Sequence, residues 1–319
     1  MVGSKTEMRD AFGDTLVKLG EQYENMVFLD ADLHTSTKAT LFKKKYSDRF
    51  IQVGIAEQNL FGMAAGLAIE GFIPFPSTFA AFASRRALDQ IAISICYPNL
   101  NVKIPGSYVG VPTSRAGASH NSIEDIAVMR SMPNLKIADP ATGQDLKAVM
   151  ETAMKTDGPV YFRITRYALE ERFDTSHSFE WGKGIRMREG NDISIFATGV
   201  MLDHCLKAAD LLSENGISAD VIHLASIKPI DEALIIESVK KTGCAMTAEN
   251  ASVLGGFGDA VSEVISANHP VMVSKIGVQD QFIESGGIDE LFVQFGMQPN
   301  QIADKAKKLL GHKLELVNL

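Results

Sequence analysis

The stretch "VGIAEQNLFGMAAGLAIEG", residues 53–71, decides how this chain reads. Before Glu57, "RFIQVGI" has the apolar, β-branched character of a buried strand. After Glu57, residues 58–69 carry no charge and are rich in Gly and Ala. Glu57 therefore stands where an apolar strand turns into an apolar helix. A carboxylate in such a place is costly unless it is paired or has a proton to share. It reads either as a helix-start acid stabilised by free N–H groups and the helix dipole, or as a catalytic group. Taken alone, the residues leave both open.

Outward from this junction, short apolar runs alternate with helical patterns. "MVFLD", "FIQV", "FIPFP", "LNVKI", "LKIAD" and "VYFRI" read as buried strands, with helices expected at 58–69, 80–96 and 144–155. The alternation predicts a doubly wound α/β domain with a mostly parallel sheet. Ligands in such sheets bind at the carboxyl ends of strands, which places 30–32, 54–57, 77–82 and 106–120 around one site. The polar stretch "RYALEERFDTSHSFEWGKGIRMREGND" reads as a connection. A second, smaller α/β pattern follows, so the expected division is residues 1–185 and residues 186–319.

The net charge of −8 over 319 residues argues against a nucleic-acid or membrane surface. The one basic run, "KKKY", lies near acids and reads as a solvated face. No apolar run approaches the length of a bilayer span, and "MVGSKTEMRDAFG" lacks the apolar core of a signal peptide. Cys96, Cys205 and Cys244 are widely spaced in apolar runs, which predicts neither disulfides nor zinc and suits a reducing cytoplasm. "LGGFGDA" is a weak anion-cradle signal at a helix start. No Walker A loop, HExxH, GxSxG or zinc spacing is present, so no metal site is expected in this chain.

Longer segments carry a resemblance. "RFIQVGIAEQNLFGMAAGLAIEGFIPFPSTFAAFASRRALDQI", "GASHNSIEDIAVMRSMPNLKIADP" and "GPVYFRITR" resemble the pyrimidine-binding domain of transketolase, a thiamine-diphosphate enzyme. "TAENASVLGGFGDAVSEVI" and "QDQFIESGGIDELFVQFG" resemble its C-terminal domain. The family's GDG motif, which serves the coenzyme's diphosphate and metal, occurs nowhere in the sequence. The chain thus resembles the C-terminal subunit of a split transketolase. The resemblance implies thiamine diphosphate shared with an N-terminal subunit that carries GDG and holds Mg2+ or Ca2+, in a dimer of heterodimers acting on sugars.

It also implies roles. Glu57 is expected to hydrogen-bond the aminopyrimidine and to act in catalysis, with Phe79 and Phe82 forming the aromatic wall and Asp32 close to the coenzyme. Arg9, Ser36 and Arg166 are expected to grip a sugar phosphate, and His120 to serve the substrate hydroxyls and the reaction. The loop "SYVGVPTSRAGASH" departs from the family's "THxxxxxGEDGxxH". Tyr108 replaces a substrate-binding histidine, Ala116 replaces an aspartate, and Arg115 adds a positive charge. These positions face the sugar in the family, so the departure implies intact coenzyme chemistry and a shifted substrate, such as a branched phosphoketose or a sulfonated ketose. Asn250, near a position where many relatives carry His, lies in the C-terminal domain, which the resemblance ties to assembly more than to chemistry, and no catalytic role is read from it. The β subunit of a 2-oxo acid dehydrogenase, a deoxyxylulose-phosphate synthase and a non-catalytic regulatory partner are the alternatives.

Overall fold

Strands buried on both sides organise the fold. In the strand Met26–Asp30 every residue is buried, Phe28 entering one apolar layer and Val27 and Leu29 the other. The strands Val160–Ile164 and Ile193–Ala197 divide the same way, with Phe162 and Ile195 in the first layer and Tyr161 and Phe196 in the second. Period-two alternation between two buried faces needs helices on both sides of each sheet. The computed structural model, which describes residues 2–317, has this doubly wound architecture twice.

The first sheet has seven strands in the order Ser226–Lys228, Lys136–Ala138, Val160–Ile164, Lys103–Ser107, Ile73–Phe79, Met26–Asp30 and Phe50–Gln52. All pairings are parallel except the Ser226–Lys228 edge, which the second half of the chain contributes antiparallel to Lys136–Ala138. The second sheet has five strands in the order Met272–Val278, Cys244–Ser252, Ile193–Ala197, Ala219–His223 and Ile185–Arg188. Its last strand is antiparallel and begins at Ile185, so a division after residue 185 cuts through its first residue. The apolar layers run through both sheets, so the halves share their cores. Among the described residues no helix is long and apolar enough to cross a membrane.

Two local expectations change. The stretch 80–96 is not one regular helix: an α-helix covers Ala80–Arg85 and wide π-type turns cover Gln90–Cys96. Bonds such as Ala87 N–H to the Phe82 carbonyl (3.2 Å) and Tyr97 N–H to the Ala92 carbonyl (2.9 Å) join residues five apart in sequence. The β-branched Ile91, Ile93 and Ile95 weaken regular α-helix there. The polar connection also contains structure, because Ala168–Glu170 pairs antiparallel with Lys5–Glu7 near the N-terminus. That partner lies far away in sequence, so no local pattern announces it.

Candidate active site

Gly54, at φ +73°, turns the chain out of the strand Phe50–Gln52, and the helix Glu57–Ile69 begins three residues later. Ala56 precedes the helix and has no side-chain group to cap it. The carboxylate of Glu57, in the first turn, lies where the helix dipole favours negative charge. It is 1% exposed, and its Oε2 accepts a hydrogen bond from Arg86 Nη1 at 2.8 Å. Its Oε1 makes no hydrogen bond among the described residues. A groove of about 410 Å3 lined by Ile55, Ala56, Glu57, Gln58, Asn59 and Arg86 runs past it. Sequence reasoning did not single out Arg86. Its signal was the i,i+4 spacing from Phe82, for the guanidinium lies over that ring at 5.1 Å.

The strand Ile73–Phe79 passes directly into the helix Ala80–Arg85, which puts Phe79 at the junction and Phe82 in the first turn. Their rings lie 5.7 Å apart, inclined by 27°. Phe79 also stacks on Tyr108 at 4.2 Å. His120 meets Phe82 edge-on at 5.3 Å and Phe79 at 6.0 Å, and its Nδ1 lies 2.8 Å from Ser119 Oγ. Beyond Tyr108 the surroundings become cationic. Arg9 Nη1 donates to the Tyr108 hydroxyl (3.3 Å) and to the Ser36 carbonyl (3.4 Å), and the hydroxyl itself donates to that carbonyl (3.4 Å). The guanidinium of Arg166, an exposed residue, lies 5.5 Å from the Tyr108 ring centre. Glu7 pairs with Arg9 through its Nε.

Glu57, Arg86, Phe82, Phe79, Tyr108, Arg9 and Arg166 therefore form one row of contacts, with Ser36 and His120 beside it. Two sequence candidates stand outside these contacts. Asp32 is exposed at φ +63°; its backbone N–H reaches Gln52 Oε1 at 3.0 Å, and its carboxylate is unbonded among the described residues. The buried acid nearby is Asp30, which accepts from Leu33 N–H and from Gln52 Nε2. Arg115 is exposed and makes no hydrogen bond or ion pair among the described residues.

Tyr108 N–H donates to the Ile164 carbonyl at 2.8 Å, and the neighbouring Arg163 centres a buried ion cluster that sequence reasoning missed. Arg163, 1% exposed, donates through Nε and Nη2 to Asp125 (2.8 and 3.2 Å) and through Nη1 to Asp139 (2.9 Å). Its Nη2 also donates to the Asn250 carbonyl at 3.0 Å. The Tyr161 hydroxyl donates to Asp125 at 2.7 Å. Burial raises the Asp139 carboxyl above the ordinary range, and burial together with Asp125 holds the Tyr161 phenol well above its own.

The donor set fits the pyrimidine end of thiamine diphosphate. A nearly buried carboxylate keeps one oxygen unbonded beside an aromatic pair, which suits a flat heterocycle with a protonable ring nitrogen. Among the described residues no group of three or more His, Cys, Asp and Glu side chains is placed to hold a metal ion.

Comparison with known proteins gives the same family. The transketolase pyrimidine binding domain matches residues 4–171, and the transketolase C-terminal domain matches residues 182–302. The chain is 39% identical over 306 residues to a 6-deoxy-6-sulfo-D-fructose transketolase chain of Clostridium sp. (strain MSTE9), covering 96% of this chain and 95% of that one. It is 34% identical over 307 residues to an apulose-4-phosphate transketolase chain of Phocaeicola vulgatus, covering 96% and 98%. A solved structure described as a split gene transketolase, inactive beta4 tetramer, is similar at a TM-score of 0.90 and 45% identity, covering 95% and 98%. The chain belongs to the transketolase family, as a transketolase-type transferase chain corresponding to the C-terminal section of the split enzymes.

Proposed function

We propose that this chain supplies the pyrimidine side of a thiamine-diphosphate site completed by an N-terminal subunit. Together they move a two-carbon ketol unit from an anionic ketose to an aldose. The observation that carries this reading is the row from Glu57 through Phe82 and Phe79 to Tyr108, Arg9 and Arg166. It has a carboxylate able to share a proton at one end and two guanidiniums suited to an anion at the other. In this reading residues 1–185 form the half-site and residues 186–319 brace it.

Thiamine diphosphate supplies, when bound, the nucleophilic carbon that carries the two-carbon unit. Glu57 would hold the pyrimidine ring nitrogen through Oε1 and share its proton, while Arg86 keeps Oε2 in place. Phe82, backed by Phe79, would orient the ring, and Asp32 would lie at the edge of the coenzyme site. His120 would exchange protons with the sugar hydroxyls. Arg9 and Arg166, with Ser36, would bind the distal anion, and Arg115 is free to add a contact. Diphosphate and Mg2+ or Ca2+ fall to the partner subunit and its GDG motif. The relative described as an inactive beta4 tetramer supports a need for that partner and an assembly of four chains, which with two kinds of chain we read as a dimer of heterodimers. Three free, buried cysteines suit a reducing cytoplasm.

Specificity turns on Tyr108. Where the family places an imidazole, a phenol stacks on Phe79 and accepts from Arg9, and Ala116 removes an acid from the same loop. This favours an unusual phospho- or sulfo-ketose donor, in keeping with the names of the two sugar-specific relatives. The test is reconstitution with the N-terminal subunit, thiamine diphosphate and Mg2+, measuring ketol transfer from 6-deoxy-6-sulfofructose, a branched phosphoketose and xylulose 5-phosphate. Transfer that needs both chains and prefers one of the first two donors is expected. Full efficiency on xylulose 5-phosphate overturns the shifted specificity. Pyruvate decarboxylation moves the chain to the dehydrogenase or synthase alternatives, and a complex inert toward all donors marks a regulatory partner.

A further inference from the structure

Asn250 lies on the strand Cys244–Ser252 of the second sheet and is 1% exposed, yet among the described residues its side chain bonds only to the loop that begins at Tyr108. Oδ1 accepts from the Val111 N–H at 2.8 Å, and Nδ2 donates to the Val109 carbonyl at 3.3 Å. The amide thus pairs with the peptide groups on both sides of Gly110, as a neighbouring strand would. Gly110, at φ +60°, permits this approach. A Cβ there would lie 2.3 Å from the Asn250 carbonyl oxygen and 2.5 Å from its Cγ. The other side of Asn250 is fixed as well, since its carbonyl accepts from Arg163 within the buried ion cluster.

The loop needs such support. Tyr108 and Ser114 hold φ of +62° and +52°, conformations that side chains with a Cβ rarely adopt and that persist only where surrounding bonds enforce them. The second sheet meets the loop again at its far end, where Ser252 N–H donates to the Ile123 carbonyl at 2.7 Å. Between the two anchors stand Arg115 and His120.

We infer that Asn250 is a positioning residue for sugar recognition. By pairing with both peptides around Gly110 it fixes the direction in which Tyr108, and through the loop His120, enter the site. The C-terminal half is then part of the specificity apparatus and not only of assembly. This inference rests on the ketol-transfer reading for its kinetic test, so a second test is independent of activity.

Asn250→Leu removes both side-chain bonds at similar volume, and Asn250→Asp keeps the acceptor for Val111 while losing the donor to Val109. In the full chain alone, trypsin cleavage after the exposed Arg115, followed by mass spectrometry, reports release of the loop. Cleavage about tenfold faster in Asn250→Leu is expected, with Asn250→Asp between it and wild type. Cleavage at other sites serves as the control for folding. Should the leucine variant fail to fold, the aspartate variant carries the comparison. In the reconstituted enzyme the donor KM rises about tenfold while thiamine diphosphate affinity stays unchanged. Arg115 cleavage at the wild-type rate in a folded variant overturns the inference, as does a loss confined to coenzyme affinity with donor KM unchanged. A wild-type complex that transfers no ketol unit overturns the functional reading instead, and the cleavage comparison then decides whether Asn250 holds the loop.

Discussion

Replacing Arg163 with Met should be among the most damaging single changes outside the site. The guanidinium spends four hydrogen bonds on Asp125, Asp139 and the Asn250 carbonyl, and Asp125 is fully buried. Methionine fills comparable space but leaves two carboxylates and a carbonyl without their cation. Removing one partner of a buried ion pair costs about 3–5 kcal/mol, a large share of the roughly 5–15 kcal/mol that holds a domain folded. The deficit should depend on pH with a definite sign. Burial already raises Asp139 with Arg163 present, so an unpaired carboxyl takes up a proton more readily in the native state than in the unfolded chain. The native state then binds more protons, and its stability rises as pH falls. Urea unfolding of the full chain, followed by far-UV circular dichroism, should show the larger loss at about pH 7.5 and a smaller one near about pH 5.5. Arg163→Lys should recover only part, because one ammonium cannot reproduce the fork that spans both acids. A methionine variant within about 1 kcal/mol of wild type, or a deficit that grows on acidification, would refute the reasoning.

Two further outcomes follow from groups elsewhere in the fold. Burial pushes the Glu249 carboxyl up to about 7 from 4.5, against the N–H bonds it receives from Phe257 (2.7 Å) and Gly258 (2.8 Å). The native state therefore keeps a proton that the unfolded chain releases between these values, and wild-type stability should fall by about 3 kcal/mol as pH rises through that window. Urea titrations of Glu249→Gln should show this slope largely gone, and equal slopes would remove Glu249 from the account. Gly62 lies in the helix Glu57–Ile69, and a methyl group added there would meet nothing within 4 Å. Gly62→Ala should raise the melting temperature of the chain by the equivalent of roughly 0.5–1 kcal/mol; a lower value would mean that this face is already packed.

The sheets were legible because their strands are apolar on both faces, as in "MVFLD" and "VYFRI"; Glu57, Phe79 and Phe82 lie at strand ends, but it was the family resemblance that gave them roles. What stayed hidden depends on partners distant in sequence. Arg86 finds Glu57 across 29 positions, and Asn250 reaches Val111 across 139. Arg163 looked like one more residue of a buried strand, with nothing local to reveal two acids, one opening the helix Asp125–Arg130 and one just past the strand Lys136–Ala138. The edge strand Ser226–Lys228 joins the first sheet from the other half of the chain, which no alternation of strand and helix predicts. At the opposite extreme, Asp32 and Arg115 matched or extended a family pattern, yet their side chains reach none of the clustered residues. Motif position marks a neighbourhood, whereas backbone conformation, such as φ +63° at Asp32, decides where a side chain goes.

The central claim, that Glu57 completes a coenzyme site held between two chains, is tested most directly by Glu57→Gln in the reconstituted enzyme. Glutamine keeps the volume and a hydrogen-bonding oxygen but cannot share a proton in the same way. Ketol transfer should fall by roughly 10²–10⁴-fold, with donor KM little changed and the subunits still assembled. Turnover within about threefold of wild type would contradict the account.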